Sequence, residues 1–385
     1  MIFNASVIAY MPVGDTTFAH AVIPHDFIWY FMAILALREI LFGKWHPITI
    51  LGLAIFAALG IATWMVHWRP FTMLCLFAFC ARDTDFRSLA KVSLVVSIAI
   101  LVGICAAALS GALPDFVAEA EWGHTLDRHY LGFRHPNGCG LLAFTFVIAL
   151  LVARGRQLRI LEAVLLAVFL LSMYILVGSR TMLACGLLVV LGGIIAAKWT
   201  APGWFRTLGK VIWTAFPALC ATGIIALCIC FDPSVAWMTH VNDVLTGRID
   251  FGSRAIAECG LHLEPTQTTL PTYEFQAQTL DGSSTTVTGP IPVDCHYVDV
   301  ALHLGIPLTV LYVIMLCILG YRSWACENPQ IAVGVMALFL YLIMETTAFL
   351  PCRDPLAVML GIAVAYPGSL AVLSKGRGKH HGTRG

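Results

Sequence analysis

The chain has 385 residues, 59% of them hydrophobic and only 12% charged, with mean hydropathy +0.84 and net charge +1. Soluble domains carry about 25% charged residues, so this composition excludes an ordinary soluble globule and indicates a polytopic membrane protein. A net charge this close to zero gives no case for nucleic-acid binding.

A membrane-crossing helix needs about 20 apolar residues. In chain order, the apolar runs predict eleven spans: 27–43, 48–66, 68–81, 91–113, 136–153, 159–177, 181–197, 210–231, 296–320, 330–350 and 355–373. The expected fold is therefore all-α: a polytopic integral membrane helical bundle forming a single domain over 1–385. The run at 68–81 is the shortest. No Lys or Arg occurs in the first 26 residues, so the positive segment of a cleavable signal peptide is missing. Most connections are tight turns; the exceptions are 114–135 and the long polar stretch 232–295. No internal repeat or low-complexity tract is visible. The 13 cysteines lie mostly inside apolar runs and read as small buried hydrophobes. Cys259 and Cys295 flank one polar loop and are candidates for a disulfide.

Lys and Arg concentrate in cytoplasmic loops. With the tail KGRGKHHGTRG placed inside, all six lysines fall on the cytoplasmic side, together with Arg82, Arg87, Arg154, Arg156, Arg159, Arg206 and Arg322. The opposite side receives Arg69, Arg128, Arg134, Arg180, Arg248, Arg254 and Arg353, most of the acids and no lysine. The stretch 232–295 then becomes a long extracytoplasmic loop, and the N-terminus lies outside. If 68–81 does not cross, the first two spans invert and nothing after residue 82 changes. Arginine suits planar, bidentate recognition of phosphate or carboxylate better than lysine does. A set of arginines on one face points to an anionic ligand there, with headgroup snorkelling or local acid pairing as the alternative for each one.

Several short motifs share that outer placement. They are GFRHPNGCG (132–140), VGSRTMLA (177–184), LTGRIDFGSRAI (245–256), DCHYVDVALHLGIP (294–307) and METT (344–347). Their order over roughly 130–350 resembles the O-antigen polymerase and ligase superfamily, the Wzy-type polysaccharide polymerases. The first 120 residues match that family only as generic apolar spans. The resemblance implies a membrane glycosyltransferase of the bacterial cytoplasmic membrane. Such an enzyme polymerises undecaprenyl-pyrophosphate-linked oligosaccharide repeat units into O-antigen, capsule or exopolysaccharide. A flippase and a chain-length regulator are the partners that go with this activity. The donor already stores the energy, so no cofactor is implied, and the chain has no Gly-rich nucleotide loop of the G-x-x-x-x-G-K-[ST] type. Two alternatives stay open: a ligase that moves a finished glycan to another acceptor, and a lipid-linked glycan flippase or transporter. Transporters tend to show internal repeats with broken helices in matching places, and no such pair is visible.

Such a reaction must stabilise charge on the leaving pyrophosphate and deprotonate an acceptor hydroxyl. Arg180 and Arg248 match family arginines. Arg180 also starts a helix, whose N-terminal amides favour anions; Arg248 has Asp250 and Asp243 nearby as alternative partners. Arg254 follows Arg248 by six residues, which does not give one helical face. Arg353 sits beside Asp354, as a binding residue or an ion pair. Arg134 precedes His135, Pro136 and Asn137; Pro136 suits the first turn of a helix, and Asn137 can orient a sugar or phosphate oxygen or serve a capping turn. Asp294 and Tyr297 match the family pattern, and on a helix His296, Asp299 and His303 share one face. That face suits a general base with an orienting carboxylate; a metal site is not expected. The spacing from His296 to Gly305 departs from the ligase pattern and favours the polymerase. Glu345 lies in apolar sequence, where a carboxylate costs about 2.5–3.5 kcal/mol on insertion scales, so it should face the bundle interior, as a base or as a structural partner for an arginine. Trp237, His240, Tyr273 and Phe275 in the long loop suit sugar stacking or an amphipathic loop on the membrane.

This orientation predicts that a cysteine placed at Ser284 is labelled from outside intact cells. Labelling only after permeabilisation would invert the topology.

Overall fold

A computed structural model describes residues 27–365 apart from 44, 119–126, 134, 199–201, 271, 279–283, 291–292, 327 and 347–354. The chain is a helical bundle. Its helices are α1 (Phe27–Phe42), α2 (Pro47–Met65), α3 (Arg69–Cys80), α4 (Phe86–Leu109), α5 (Pro136–Arg154), α6 (Ile160–Val177), α7 (Arg180–Lys198) and α8 (Gly203–Ile229). Two shorter helices follow, α9 (Ala236–Val244) and α10 (Arg248–Cys259), and then α11 (His296–Ala325), α12 (Pro329–Met344) and α13 (Met359–Ala365). Strands β1 (Val117–Ala118) and β2 (Arg128–His129) form one small antiparallel pair, and β3 (Thr272–Gln278) and β4 (Ser284–Pro290) form a hairpin. The polar stretch 232–295 is thus largely folded, as two helices and a hairpin.

Among the described residues, seven helices are long and apolar enough to cross a membrane: α2, α4, α5 with the 3₁₀ turn after it, α6, α7, α8 and α11. At 1.5 Å per residue, the 12-residue α3 reaches about 18 Å and the 16-residue α1 and α12 about 24 Å. The expected span at 355–373 is described only to residue 365, as a 3₁₀ turn at Pro355–Val358 followed by α13. Leu356 and Met359 line a small apolar cavity there together with Phe86, Ala90, Val152 and Ile331.

The starts and ends of the helices follow their sequences. Pro occupies the first turn of α2, α3, α5 and α12, where its missing N–H costs nothing. Asp85 caps α4 by accepting from Ser88 N at 2.8 Å. Gly178 ends α6 in the left-handed conformation (φ 69°). α5 is buried on almost every side, while α6 and α8 leave most of their surface outside the bundle. That marks α5 as the central helix. The outward apolar side chains, such as Leu165, Leu191, Leu219 and Val310, suit contact with lipid.

Side-chain contacts separate the two ends of the bundle. At one end Asn328 Nδ2 donates to Val152 O (2.9 Å), Gln330 Nε2 to Gly193 O (2.8 Å) and Trp324 Nε1 to Arg206 O (2.9 Å). The described lysines, Lys91, Lys198 and Lys210, belong to this half. A buried ion pair lies there too: Arg82, fully buried, donates to Glu39 Oε2 (2.5 Å), and Arg38 bonds the other oxygen of Glu39. Arg128, Arg180, Arg248 and Glu345 lie at the other end.

α11 is broken. Gly305 has φ 71° and ψ 168°, and Pro307 follows. The freed backbone groups are met by an extended strap from residues 262–268. Ile306 N donates to His262 O (2.8 Å), Thr266 N to His303 O (3.1 Å) and Thr268 Oγ1 to Leu302 O (3.1 Å). Irregular backbone is tolerated at such depth only where protein satisfies it. The break leaves residues 306–325 as the straight part, long enough to cross by itself.

The expected pairing of Cys259 with Cys295 does not form, and both thiols are free. Cys295 is buried at the start of α11, whereas Cys259 Sγ faces Thr269 O at 3.7 Å.

A Cβ at position 305 would stand 2.8 Å from Glu264 O, and the backbone there is one only glycine adopts readily. Gly305→Ala should therefore cost about 1–3 kcal/mol in detergent unfolding. Wild-type stability would show that the strap is not seated on the break.

Candidate functional site

The site is built around the end of α12. Glu345 terminates that helix in extended conformation (φ −147°, ψ 127°), and its side chain turns inward to 4% exposure. A carboxylate there must be met by donors, and two reach it. Asn137 Nδ2 donates to Oε1 at 2.7 Å, and Arg248 Nη2 donates to the same oxygen at 3.0 Å.

Arg248 is the first residue of α10. Thr246 (φ 55°) and Gly247 (φ 81°) turn the chain from α9 into α10 and direct the guanidinium inward. Its Nε donates to Met344 O, and Nη1 donates to Leu245 O (3.3 Å) and to Thr246 Oγ1. Asp294 Oδ2 lies 3.6 Å from Nη2. All three nitrogens of this buried arginine are therefore engaged, which is the condition under which a buried cation is tolerable.

Asn137 lies in the first turn of α5, behind Pro136, with the His135 ring accepting from its backbone N–H at 3.1 Å. While Nδ2 serves Glu345, Oδ1 accepts from Arg128 Nη2 at 2.7 Å. A donor is needed on one side and an acceptor on the other, so the amide orientation is determined. Arg128 belongs to β2, and its Nε donates to Val177 O at 3.2 Å. The loop carrying it is pinned by Asp115, whose oxygens meet the His129 ring and Leu131 N–H, each at 2.7 Å. Arg128 lies directly over Gly178, where a Cβ would come within 2.8 Å of its Cγ. The glycine of the VGSR turn is thus required twice, for its left-handed φ and for the arginine above it. Arg180 begins α7 immediately after this turn. Burial lowers the pKa of Arg128 from its ordinary value; Tyr130 and Glu345 oppose the shift, while the charges of Arg248 and Arg180 add to it.

The structure therefore brings together Asn137, Arg248, Asp294 and Glu345, with Arg180 close enough for its charge to act on Arg128. The other described candidates make their contacts away from the Glu345 carboxylate, although His296 reaches the carbonyl of the next residue, Thr346. Arg254 pairs with Asp250 at 2.8 Å on a largely exposed face of α10, four residues apart. His296 is fully buried; its Nδ1 faces Thr346 O (3.0 Å) and its Nε2 faces Tyr312 O–H (2.9 Å). Tyr297 is buried and donates to Phe339 O at 3.2 Å. Asp299 and His303 meet, with His303 Nδ1 2.9 Å from Asp299 O and 3.2 Å from Oδ1, and the Trp68 ring stacks on His303. His296 points into the core, where Phe71 stacks with it; Phe71 in turn stacks on the Trp68 ring that covers His303. Arg134 and Arg353 lie outside the described residues. Among the described residues no group of three His, Cys, Asp or Glu side chains converges as a metal site. Arg128 is the site residue that the sequence did not single out. Its one signal is membership of the lysine-free arginine set.

Chemically, the guanidinium groups at this end of the bundle can meet an oxyanion while Arg248 and the Asn137 amide hold a carboxylate beside it as a proton acceptor. Compared with known proteins, the chain matches no family model, no curated protein and no solved structure.

Glu345→Ala would leave Arg248 buried without its counter-ion, and stability should fall by about 3–5 kcal/mol. Glu345→Gln should lose clearly less, because a glutamine oxygen still accepts from Asn137 and Arg248. Equal losses in detergent unfolding would contradict this account of the pair.

Proposed function

We propose that the chain polymerises undecaprenyl-pyrophosphate-linked oligosaccharide repeat units into a surface polysaccharide, at the outer face of a bacterial cytoplasmic membrane. One observation carries the proposal. Five sequence stretches that together resemble Wzy-type polymerases meet around Glu345. GFRHPNGCG supplies Asn137, VGSRTMLA supplies Gly178, over which lies the Arg128 that bonds Asn137, and LTGRIDFGSRAI supplies Arg248. The start of DCHYVDVALHLGIP supplies Asp294, and METT supplies Glu345 itself. Asn137 and Glu345 are 208 residues apart in the chain, and a direct hydrogen bond between them is unexpected if the motifs were chance matches.

In this proposal the lysine-bearing end is cytoplasmic, as the positive-inside rule asks. The acceptor sugar hydroxyl attacks the anomeric carbon of the lipid-linked chain. The bond to the pyrophosphate breaks, and that group leaves with its charge met by arginine. The hydroxyl proton passes to a carboxylate, for which Glu345 is the buried candidate. No nucleotide and no metal enters this scheme.

The proposal predicts that purified protein, given the lipid-pyrophosphate-linked repeat unit of its source organism, makes a ladder of longer lipid-linked glycans. The ladder should form without nucleotide sugar and with a chelator present. Arg248→Lys should lose most of it, because one ammonium cannot replace three directed nitrogens. Absence of a ladder from well-folded wild-type protein, or a normal ladder from Arg248→Lys, would overturn the assignment.

A further inference from the structure

Two arginines flank the Asn137–Glu345 hydrogen bond, and they are held in different ways. Arg248 has four of its five N–H donors bound, Nε to Met344 O, Nη1 to Leu245 O and Thr246 Oγ1, and Nη2 to Glu345 Oε1, and the remaining one on Nη2 faces Asp294. Its charge is met by Glu345 at 3.0 Å and faces Asp294 at 3.6 Å. Arg128 is fixed only by neutral acceptors, Val177 O at Nε and Asn137 Oδ1 at Nη2. Among the described residues it makes no ion pair, and its Nη1 has no partner.

A partly buried cation normally finds a counter-charge. Arg128 instead sits where Arg248 and Arg180 add to its positive field and only Glu345, already bound to Arg248, opposes them among the acids. The two neutral hydrogen bonds fix the plane of the guanidinium without cancelling its charge. Gly178 leaves room for its stem and Asp115 pins the loop that carries it. This is a pre-positioned cation, with the ordering cost met before a ligand arrives.

We infer that Arg128, through Nη1, is the residue that binds the phosphate oxyanion of the lipid-linked substrate, while Arg248 is a positioning residue that holds Glu345. The inference rests on the proposed polymerase function and divides its labour. Arg128 governs affinity for the lipid pyrophosphate, and Arg248 governs turnover.

The test uses the full chain in detergent and undecaprenyl pyrophosphate, without sugars, as the probe, with undecaprenol as the uncharged control. Wild type should bind the pyrophosphate lipid well above the control. Arg128→Gln should weaken that binding about tenfold or more, the loss of one charge-assisted contact, and leave control binding unchanged. Arg128→Lys keeps the charge but cannot reach Val177 O, Asn137 and an oxyanion together, so it too should bind more weakly. Arg248→Lys should keep probe affinity within about threefold, a margin smaller than one lost hydrogen bond, while turnover collapses. Unchanged affinity in whichever Arg128 variant keeps the wild-type melting temperature would overturn the inference and leave the polymerase reading intact. Loss of affinity in Arg248→Lys equal to that in Arg128→Gln would overturn the division of labour. Failure of wild type to prefer the pyrophosphate lipid would overturn both the inference and the polymerase reading.

Discussion

The arginine end of the bundle depends on the contact between Arg248 and Glu345. Both groups are nearly excluded from solvent, at 9% and 4% exposure. Removing such charges from water costs several kcal/mol per ion, and attraction offsets this only when every remaining donor and acceptor is met. Here Arg248 spends four of its five N–H donors on Glu345, Met344 O, Leu245 O and Thr246 and turns the fifth toward Asp294, while Glu345 takes a second bond from Asn137. One pair therefore ties α10, α12 and α5 together, and through Asn137 it reaches Arg128 and the α6–α7 turn. A pair of this kind adds little net stability over a well-packed apolar one. Its retention is better explained by the chemistry it positions.

Backbone conformation sets the pieces of this arrangement in place. The left-handed pair Thr246–Gly247 aims Arg248 inward, and Gly178 clears a path for Arg128. At Gly305 the chain leaves helical geometry, and the strap from 262–268 satisfies the broken turn. The folded polar segment is thereby anchored to α11 at its break. The opposite end carries its own buried pair, Arg82 with Glu39, so both ends of the bundle are fixed by directed ionic contacts and the middle by apolar packing.

The helical frame was legible in the sequence because apolar runs near 20 residues have few other solutions. The separation of the described lysines from Arg128, Arg180 and Arg248 was legible too, and the structure gathers these three arginines at one end. Glu345 facing inward followed from the cost of a carboxylate in apolar surroundings. Partners were harder. Helical spacing gave Asp299 with His303 correctly, but it could not tell that His296 turns into the core toward Tyr312 and Thr346. Spacing likewise excluded Arg254 from the face of Arg248 without saying that Asp250 would take it. Arg128 was the least legible. Its partners, Asn137 and Val177, belong to other elements, and no local pattern announces a contact made over 49 residues of chain.

The most direct test of the central claim is a double-mutant cycle on Arg248→Ala and Glu345→Ala, read as unfolding free energy in detergent. If the two residues form the pair that organises this end of the bundle, each single variant is strongly destabilised. The double variant then loses less than their sum, by at least about 1 kcal/mol. Additivity within about 0.3–0.5 kcal/mol would mean that the two side chains do not interact, and the site described around Glu345 would fall.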